Sequence, residues 1–347
     1  RARAVGVGAI ITIGTDVIAR EAGVTTFGFT AGRMMYRDTT GYVLDHRLDG
    51  IRLQINQAKS SLQFGLGTTV LLQKPTNRII LSTADILDLS DPDVRFAPPR
   101  LIGVLDYRML EVIGGQHLNV GVVFNEDLRP EDQLTPVGTE LEDPTASGRV
   151  ETQYVTLALS GALGPGLFHR TSYAFNSGRT LAYGPDSDSG TGSSYQYEVV
   201  LAHMAGAELT WFLPETLNSR ARLFAQYSTG PTDWSDTFVP LSPTTFSDVF
   251  SLNPGNSAHL GVSYSLRPLA ALGADVLQTE VKSVSYFRSA NPGAYLGTDA
   301  NLIVTAVPFS DLRIVLKGGL FVPNASVMGP NNENVDYQVT LQGVLRF

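Results

Sequence analysis

The sequence predicts an all-β fold, a transmembrane antiparallel up-and-down β-barrel of about sixteen strands. Three observations carry that expectation. Apolar and polar residues alternate with a period of two in one segment after another, the connections alternate between short and long, and charge is scarce. The chain is 43% hydrophobic and 17% charged, where a soluble domain carries about 25% charged residues. Its mean hydropathy of +0.03 is what alternation produces. No run reaches the roughly 18 apolar residues that a membrane helix needs.

In chain order, the alternation starts clearly in DGIRLQINQ, where Ile51, Leu53 and Ile55 oppose Arg52, Gln54 and Asn56. In GQHLNVGVVF, Leu118, Val120, Val122 and Phe124 oppose His117, Asn119 and Gly121. In NSRARLFAQYS, Ala221, Leu223, Ala225 and Tyr227 oppose Arg220, Arg222, Phe224 and Gln226. In SAHLGVSYSLR, Leu260, Val262, Tyr264 and Leu266 oppose His259, Gly261, Ser263 and Ser265. The final VDYQVTLQGVLRF is the cleanest. Tyr337, Val339, Leu341, Gly343, Leu345 and Phe347 share one face, and Asp336, Gln338, Thr340, Gln342 and Arg346 the other. A period of two is a strand with one apolar face. The polar faces are rich in Gly, Ser, Gln and Arg rather than Lys and Glu, which suits a crowded wet interior better than bulk water.

Fifteen segments follow: about 4–18, 25–36, 49–57, 61–73, 100–113, 115–126, 150–162, 167–178, 195–212, 218–229, 258–266, 271–289, 300–307, 312–322 and 335–347. Short connections, such as Arg20–Gly23, Gly114–Gly115 and Gly164–Gly166, alternate with long ones over about 37–48, 74–99, 127–148, 179–194, 230–257, 290–299 and 323–334. Short turns at one end and long loops at the other mark outer-membrane barrels, which in single-chain bacterial form have even strand numbers. The expectation is therefore one barrel domain over 1–347 with its first strand or strands before Arg1, sixteen strands in all or eighteen. The long loops then face outside a diderm bacterium's outer membrane and the short turns face the periplasm.

There are no cysteines, so disulfides, thiolate catalysis and Cys-based zinc sites are excluded. The formal net charge of −8 argues against a nucleic-acid partner.

The closing VLRF, a terminal aromatic on an alternating strand, resembles the C-terminal signature of outer-membrane proteins. The chain as a whole is similar to porin-type barrels in its strand and loop rhythm. The resemblance implies outer-membrane lipid as surroundings, small polar solutes as cargo, recognition by the barrel assembly machinery through Phe347, and a homotrimer as the assembly that porins of this size commonly form. A narrower likeness lies in TAGRMMYRDTTGYVLDHRLDGIRL, where Gly32, Arg33, Leu48, Asp49, Gly50 and Arg52 resemble a pattern of the alginate-export porin group. It covers under a tenth of the chain and implies no substrate.

Nothing catalytic stands out, and no enzyme, cofactor or metal is expected. His46, His117, His169, His203 and His259 sit on separate segments without metal spacing. Outer-membrane phospholipases place a His and a Ser on neighbouring strands with an Asn behind them; His169, Ser172 and Asn176 instead lie on one segment, and alternation puts His169 on the lipid face. The charges say more. A Lys or Arg facing lipid near the midplane costs roughly 2–4 kcal/mol, so alternation places Arg52, Arg108, Arg170, Arg220, Arg222, Lys282, Arg313, Lys317 and Arg346 inside. Asp106, Glu198, Glu208, Glu280 and Asp336 join them. Arg52, Arg108, Arg220, Arg222, Lys282, Arg313 and Lys317 are the candidate pore lining, with Arg220 and Arg222 foremost for touching an anionic solute. The alternative is that Arg and Glu pair across strands and hold the wall together.

Gly65 and Gly67 read as small inward residues that leave room in the lumen. The loop over 74–99 carries Ile79, Ile80, Leu81, Ile86 and Leu87, so it folds inward as a constriction, caps the mouth, or extends a strand over Ile79–Thr83. The acidic loop at 126–143, with Asp186 and Asp188, either gives the outer mouth a negative fringe or, as the simpler reading, serves solubility and repulsion of neighbouring surfaces. Tyr195, Tyr197, Trp211, Tyr286 and Tyr337 suit interfacial aromatic girdles. The function expected is diffusion of small polar solutes, anionic ones among them, through a pore with a weak preference for anions. A substrate-specific exporter or uptake channel, and a structural or adhesive barrel whose loops bind a partner, are the alternatives.

Overall fold

The computed structural model describes residues 11–14, 25–131, 134, 147–185, 193–231, 236–242, 249–250, 255–272, 276–290, 294–328 and 334–345. Fifteen strands run in order: β1 Ile11–Gly14, β2 Thr26–Arg37, β3 Asp45–Asn56, β4 Ser60–Thr68, β5 Arg100–Met109, β6 His117–Asp127, β7 Ser147–Gly164, β8 Leu167–Pro185, β9 Ser193–Leu213, β10 Ser219–Ser228, β11 Ala258–Leu266, β12 Leu277–Phe287, β13 Tyr295–Phe309, β14 Leu312–Pro323 and β15 Asp336–Leu345. They form one sheet in which each strand is hydrogen-bonded to the next in sequence. Every expected segment corresponds to one strand, and the fold is all-β, antiparallel and up-and-down. Arg20–Gly23, Asp186, Asp188, Arg346 and Phe347 lie outside the described residues.

Cross-strand register fixes which side chains share a face. Leu223 of β10 lies opposite Leu209 of β9 and Val262 of β11, and Leu53 of β3 lies opposite Phe29 of β2 and Phe64 of β4. This apolar face is exposed along its length, as in Leu53, Phe64, Leu209, Leu223 and Val262. The other face is crowded and mostly polar, with Asn125, Thr152, Thr156, Ser263, Ser265 and Asn301 all buried. A soluble sheet buries its apolar face and wets its polar one; the reverse order here belongs to a sheet solvated by lipid.

Two compact units are distinguished within the sheet. Unit 1 holds Arg1–Ala158, Tyr173–His203 and Val239–Thr244, and unit 2 holds Leu159–Ser172, Met204–Phe238 and Thr245–Phe347. Unit 1 carries the helix α1, Thr83–Ser90, and unit 2 the short helix α2, Ala325–Met328. Trp211 and Tyr197 stand on the exposed face, as a girdle requires. Tyr286 does not. Its even position in β12 turns it to the crowded face, where it is 2% exposed and donates its hydroxyl to Asp299 Oδ2 at 3.0 Å. Tyr195 packs against the buried cluster of Ala84, Leu134 and Leu181.

Candidate functional site

In unit 2 the crowded face carries a basic row. Arg220 and Arg222 are on β10, Lys282 on β12, and Arg313 and Lys317 on β14. Register sets Arg222, Ser263, Lys282 and Asn301 side by side across four strands. One step further along, Arg220, Ser265, Glu280, Ile303 and Lys317 form the next row. Arg313 lies beyond them, opposite Val344. With strands about 4.8 Å apart, cations on β10, β12 and β14 recur about every 10 Å along the wall.

Two of these cations are partly neutralised. Arg222 Nη2 donates to Glu208 Oε2 at 2.6 Å, and Arg220 Nη2 lies 3.8 Å from Glu280 Oε2. All four side chains keep between a fifth and two fifths of their exposure, so these are wet pairs of small net strength. The pairing read as an alternative in the sequence is therefore real for Arg220 and Arg222, yet it leaves both reachable by water.

Phe224 is a member that the sequence reading did not single out. Arg222 Cζ lies 4.8 Å from its ring centroid and Lys282 Nζ 5.8 Å, within cation–π range. The ring lies over Gly261, where an added Cβ would come within 2.2 Å of Phe224 Cζ. Alternation placed Phe224 on the polar face; a bulky apolar residue there, opposite a glycine, was the signal. Toward the long-loop end, Phe224 joins Val284, Tyr286, Leu296 and Phe321 in a buried cluster. Phe250 covers it, stacked on Phe321 at 4.0 Å and 2°.

Unit 1 is different. Its crowded face is covered by segments from long connections. In the connection after β2, Asp38 accepts from the amides of Thr40, Val43 and Leu44. Thr39 Oγ1 donates to Asp106 Oδ1 of β5 at 2.6 Å. The amides of Leu241 and Ser242 donate to the Val43 carbonyl at 2.8 and 3.1 Å, and Tyr154 of β7 donates its hydroxyl to the Val239 carbonyl.

The connection over 74–99 is the largest of these segments. It folds as α1 rather than as a strand over Ile79–Thr83. Ser82 Oγ accepts from the Asp85 amide while Asp85 accepts at the Ser82 amide, a reciprocal cap. The helix is anchored through Asp85, which is fully buried. Arg100 Nη2 donates to both Asp85 oxygens at 3.0 and 2.9 Å and lies 3.1 Å from Asp127. Arg129 Nη2 reaches Asp85 at 2.5 Å and Asp127 at 2.6 Å, and its Nη1 reaches Asp88 at 2.7 Å. Burial opposes the Arg129 charge, but hydrogen bonds and charge from Asp127 and Asp85 outweigh it and hold the guanidinium pKa above its ordinary value. Arg100 and Asp127 sit on the crowded face of β5 and β6, so the loop docks on that face. Ile79 is buried, whereas Ile80, Ile86 and Leu87 stay exposed on the loop.

The remaining candidates lie nearby. Arg52 lies 5.3 Å from the Tyr36 ring and donates to the Met35 carbonyl. Arg108 is exposed between Ser61 and Asn119 and has no ion pair among the described residues. Gly65 and Gly67 do not leave space open. The space at Gly65 is filled by Tyr36, whose ring carbon would lie 2.7 Å from a Cβ there, and the space at Gly67 by Leu48, at 2.9 Å, with Tyr36 beside it. Tyr36 donates its hydroxyl to the carbonyls of Ile51 and Leu66 at 2.8 and 3.0 Å. The Gly-Arg and Leu-Asp-Gly pattern has a local cause in the same place. Arg33 pairs with Asp49 at 2.9 and 2.8 Å, Leu48 is buried, and Gly50 makes room for the Tyr36 hydroxyl.

No family model matches the chain, and no curated relative matches it. Solved structures do. OccK11 (OpdR) of Pseudomonas aeruginosa superposes with a TM-score of 0.53 at 13% identity, over 92% of this chain and 78% of that one. OccK3 (OpdO) of the same organism gives 0.51 at 13%, over 93% and 78%. OpdK crystallised with vanillate gives 0.51 at 12%, over 92% and 75%. These neighbours are outer-membrane porins, which are channels and not enzymes, and the fold of this chain is theirs.

Proposed function

We propose that the chain is an outer-membrane channel for small polar solutes, with a preference for anions and with its long loops outside. The observation that carries this reading is the basic row of unit 2. Five cations, Arg220, Arg222, Lys282, Arg313 and Lys317, share the crowded face of β10, β12 and β14, and two glutamates, Glu208 and Glu280, pair with them. A wall with alternating cations lowers the cost of dehydrating an anion at each step without holding it at one. The vanillate in the OpdK structure is an anion, the class of solute that such a row suits. The docked loop over 74–99 supports the narrower reading, a channel with a built constriction, because it occupies the polar face that a lumen would expose. The structural or adhesive alternative explains neither the basic row nor that loop.

The test is planar-bilayer recording. The folded protein conducts, and a salt gradient gives a reversal potential on the anion-selective side. Arg220→Gln with Arg222→Gln removes two cations and releases Glu208 and Glu280, so the reversal potential moves toward cation selectivity. An unchanged potential overturns the anion reading, and a folded protein that never conducts overturns the channel.

A further inference from the structure

The end of β2 and the start of β3 bring arginines together on the exposed face. Arg33, Met35 and Arg37 lie opposite Asp49, Arg47 and Asp45. Arg33 is matched by Asp49, and Arg37 lies 3.9 Å from Asp45. Arg47 has no ion pair among the described residues, and neither has Arg78 of the loop above it. A cavity of about 490 Å³ opens between them, lined among others by Arg33, Arg47, Arg78, His46, Leu71 and Phe96. His46 is 6% exposed, and its Nε2 has no hydrogen-bond partner. The site thus holds two guanidiniums without an ion pair among the described residues, and the His46 ring lies behind them on the crowded-face side of β3.

Forked guanidinium donors match the oxygens of a phosphate ester. A free phosphate would satisfy the cations and leave the rest of the rim wet. That rim is apolar: Leu71 is 61% exposed and Phe96 52%. Below it on the same exposed face run Ile51, Leu53 and Phe64, also open. A cationic cavity directly above an uncovered apolar face has the polarity of a lipid, with the head above and the chains below. At the end of the strands, Arg costs little against lipid, roughly 0–1 kcal/mol.

We propose that this cavity binds the phosphorylated headgroup of a membrane lipid, whose acyl chains lie along the apolar face of β2, β3 and β4. The proposal rests on the reading of these strands as membrane-spanning; with the long loops outside, the lipid belongs to the outer leaflet. Arg47 and Arg78 take the phosphate oxygens, and Arg33, already held by Asp49, supports the same charge from one strand position away.

Native mass spectrometry of the folded full chain in detergent tests this, with three probes: diphosphoryl lipid A, dephosphorylated lipid A and inorganic phosphate. The wild type retains diphosphoryl lipid A. Arg47→Gln with Arg78→Gln lowers its occupancy about tenfold, two charge-assisted contacts being lost. Lys59→Gln, at the short-turn end, leaves occupancy unchanged. Both arginines are exposed, and circular dichroism checks the sheet; should the double variant fail to fold, Arg78→Gln alone, outside the strands, gives a smaller fall. Equal retention by the arginine variants, or an equal loss with Lys59→Gln, overturns the site. Equal retention of dephosphorylated lipid A shows adsorption without phosphate recognition, and equal uptake of inorganic phosphate shows a free-anion site; either overturns the proposal. Conductance of the same preparation reads the channel separately, so a failed pore and a failed lipid site are told apart.

Discussion

Asp85 is the residue on which the docking of the 74–99 loop depends. It is fully buried and receives both Arg100 and Arg129, with Asp127 as the second acceptor. Two guanidiniums face two fully buried carboxylates, with the partly exposed Asp88 as a third acceptor on Arg129; without Asp85 they share Asp127 as the one fully buried carboxylate, a loss that costs up to about 3–5 kcal/mol. The strands do not depend on that balance, so the loop gives way first. Asp85→Ala is expected to speed limited proteolysis between residues 74 and 99 while the sheet signal in circular dichroism is kept. Cleavage at the wild-type rate would show that something else holds the loop. Gly50 is the opposite case, a residue that matters because it is absent. A Cβ there would come within 2.1 Å of the Leu66 carbonyl, a backbone atom, and 2.6 Å of the Tyr36 hydroxyl. Gly50→Ala should lower unfolding stability by about 1–3 kcal/mol, read from the denaturant midpoint of the refolded protein.

At the scale of elements, periodicity made the strands legible and left the loop helix hidden. Lipid on one side and crowding on the other impose a strict two-residue alternation, so the faces of Arg52, Arg108, Arg220, Arg222, Lys282, Arg313 and Lys317 could be read from parity alone. Their partners could not, because Arg222 meets Glu208 through a register that places Glu208 opposite Phe224, two positions away. Nearness to a segment end suggests an interfacial Tyr286, but its parity with Lys282 turns it inward. In the 74–99 loop, Ile79–Thr83 has the pattern of a strand extension. The Ser82…Asp85 spacing ahead of Ile86 and Leu87 was the overlooked helix start. Arg100 was equally readable, since it shares the parity of Asp106 and Arg108. The cap has a measurable share in the loop. Ser82→Ala removes one of its two reciprocal bonds and should cost α1 about 1 kcal/mol, a milder gain in proteolysis than Asp85→Ala gives. A loss as large as that of Asp85→Ala would mean that the helix, not the ion pairs, holds the loop.

At the scale of the whole molecule, the features that bear on the proposed conduction are divided between the two units. Unit 2 holds the cation row, and unit 1 holds the docked loop. Selectivity and throughput should therefore respond to different substitutions. Long-range charge on a wall biases which ions enter, whereas a loop lying on the polar face sets how much cross-section remains for them. Replacing residues 76–94 by a short Gly-Ser linker removes α1 and the exposed Ile80, Ile86 and Leu87, and leaves Arg220, Arg222, Lys282 and Lys317 in place. It also leaves Arg100, Asp127 and Arg129, one carboxylate against two guanidiniums, so the variant should carry Arg129→Gln to keep the buried charge balanced. The expected record is a larger single-channel conductance with a reversal potential of unchanged sign. Unchanged conductance would mean that the loop, though docked, does not narrow the path. A reversal potential that changes sign would mean that the loop's own charges, and not the basic row on β10, β12 and β14, select the ion.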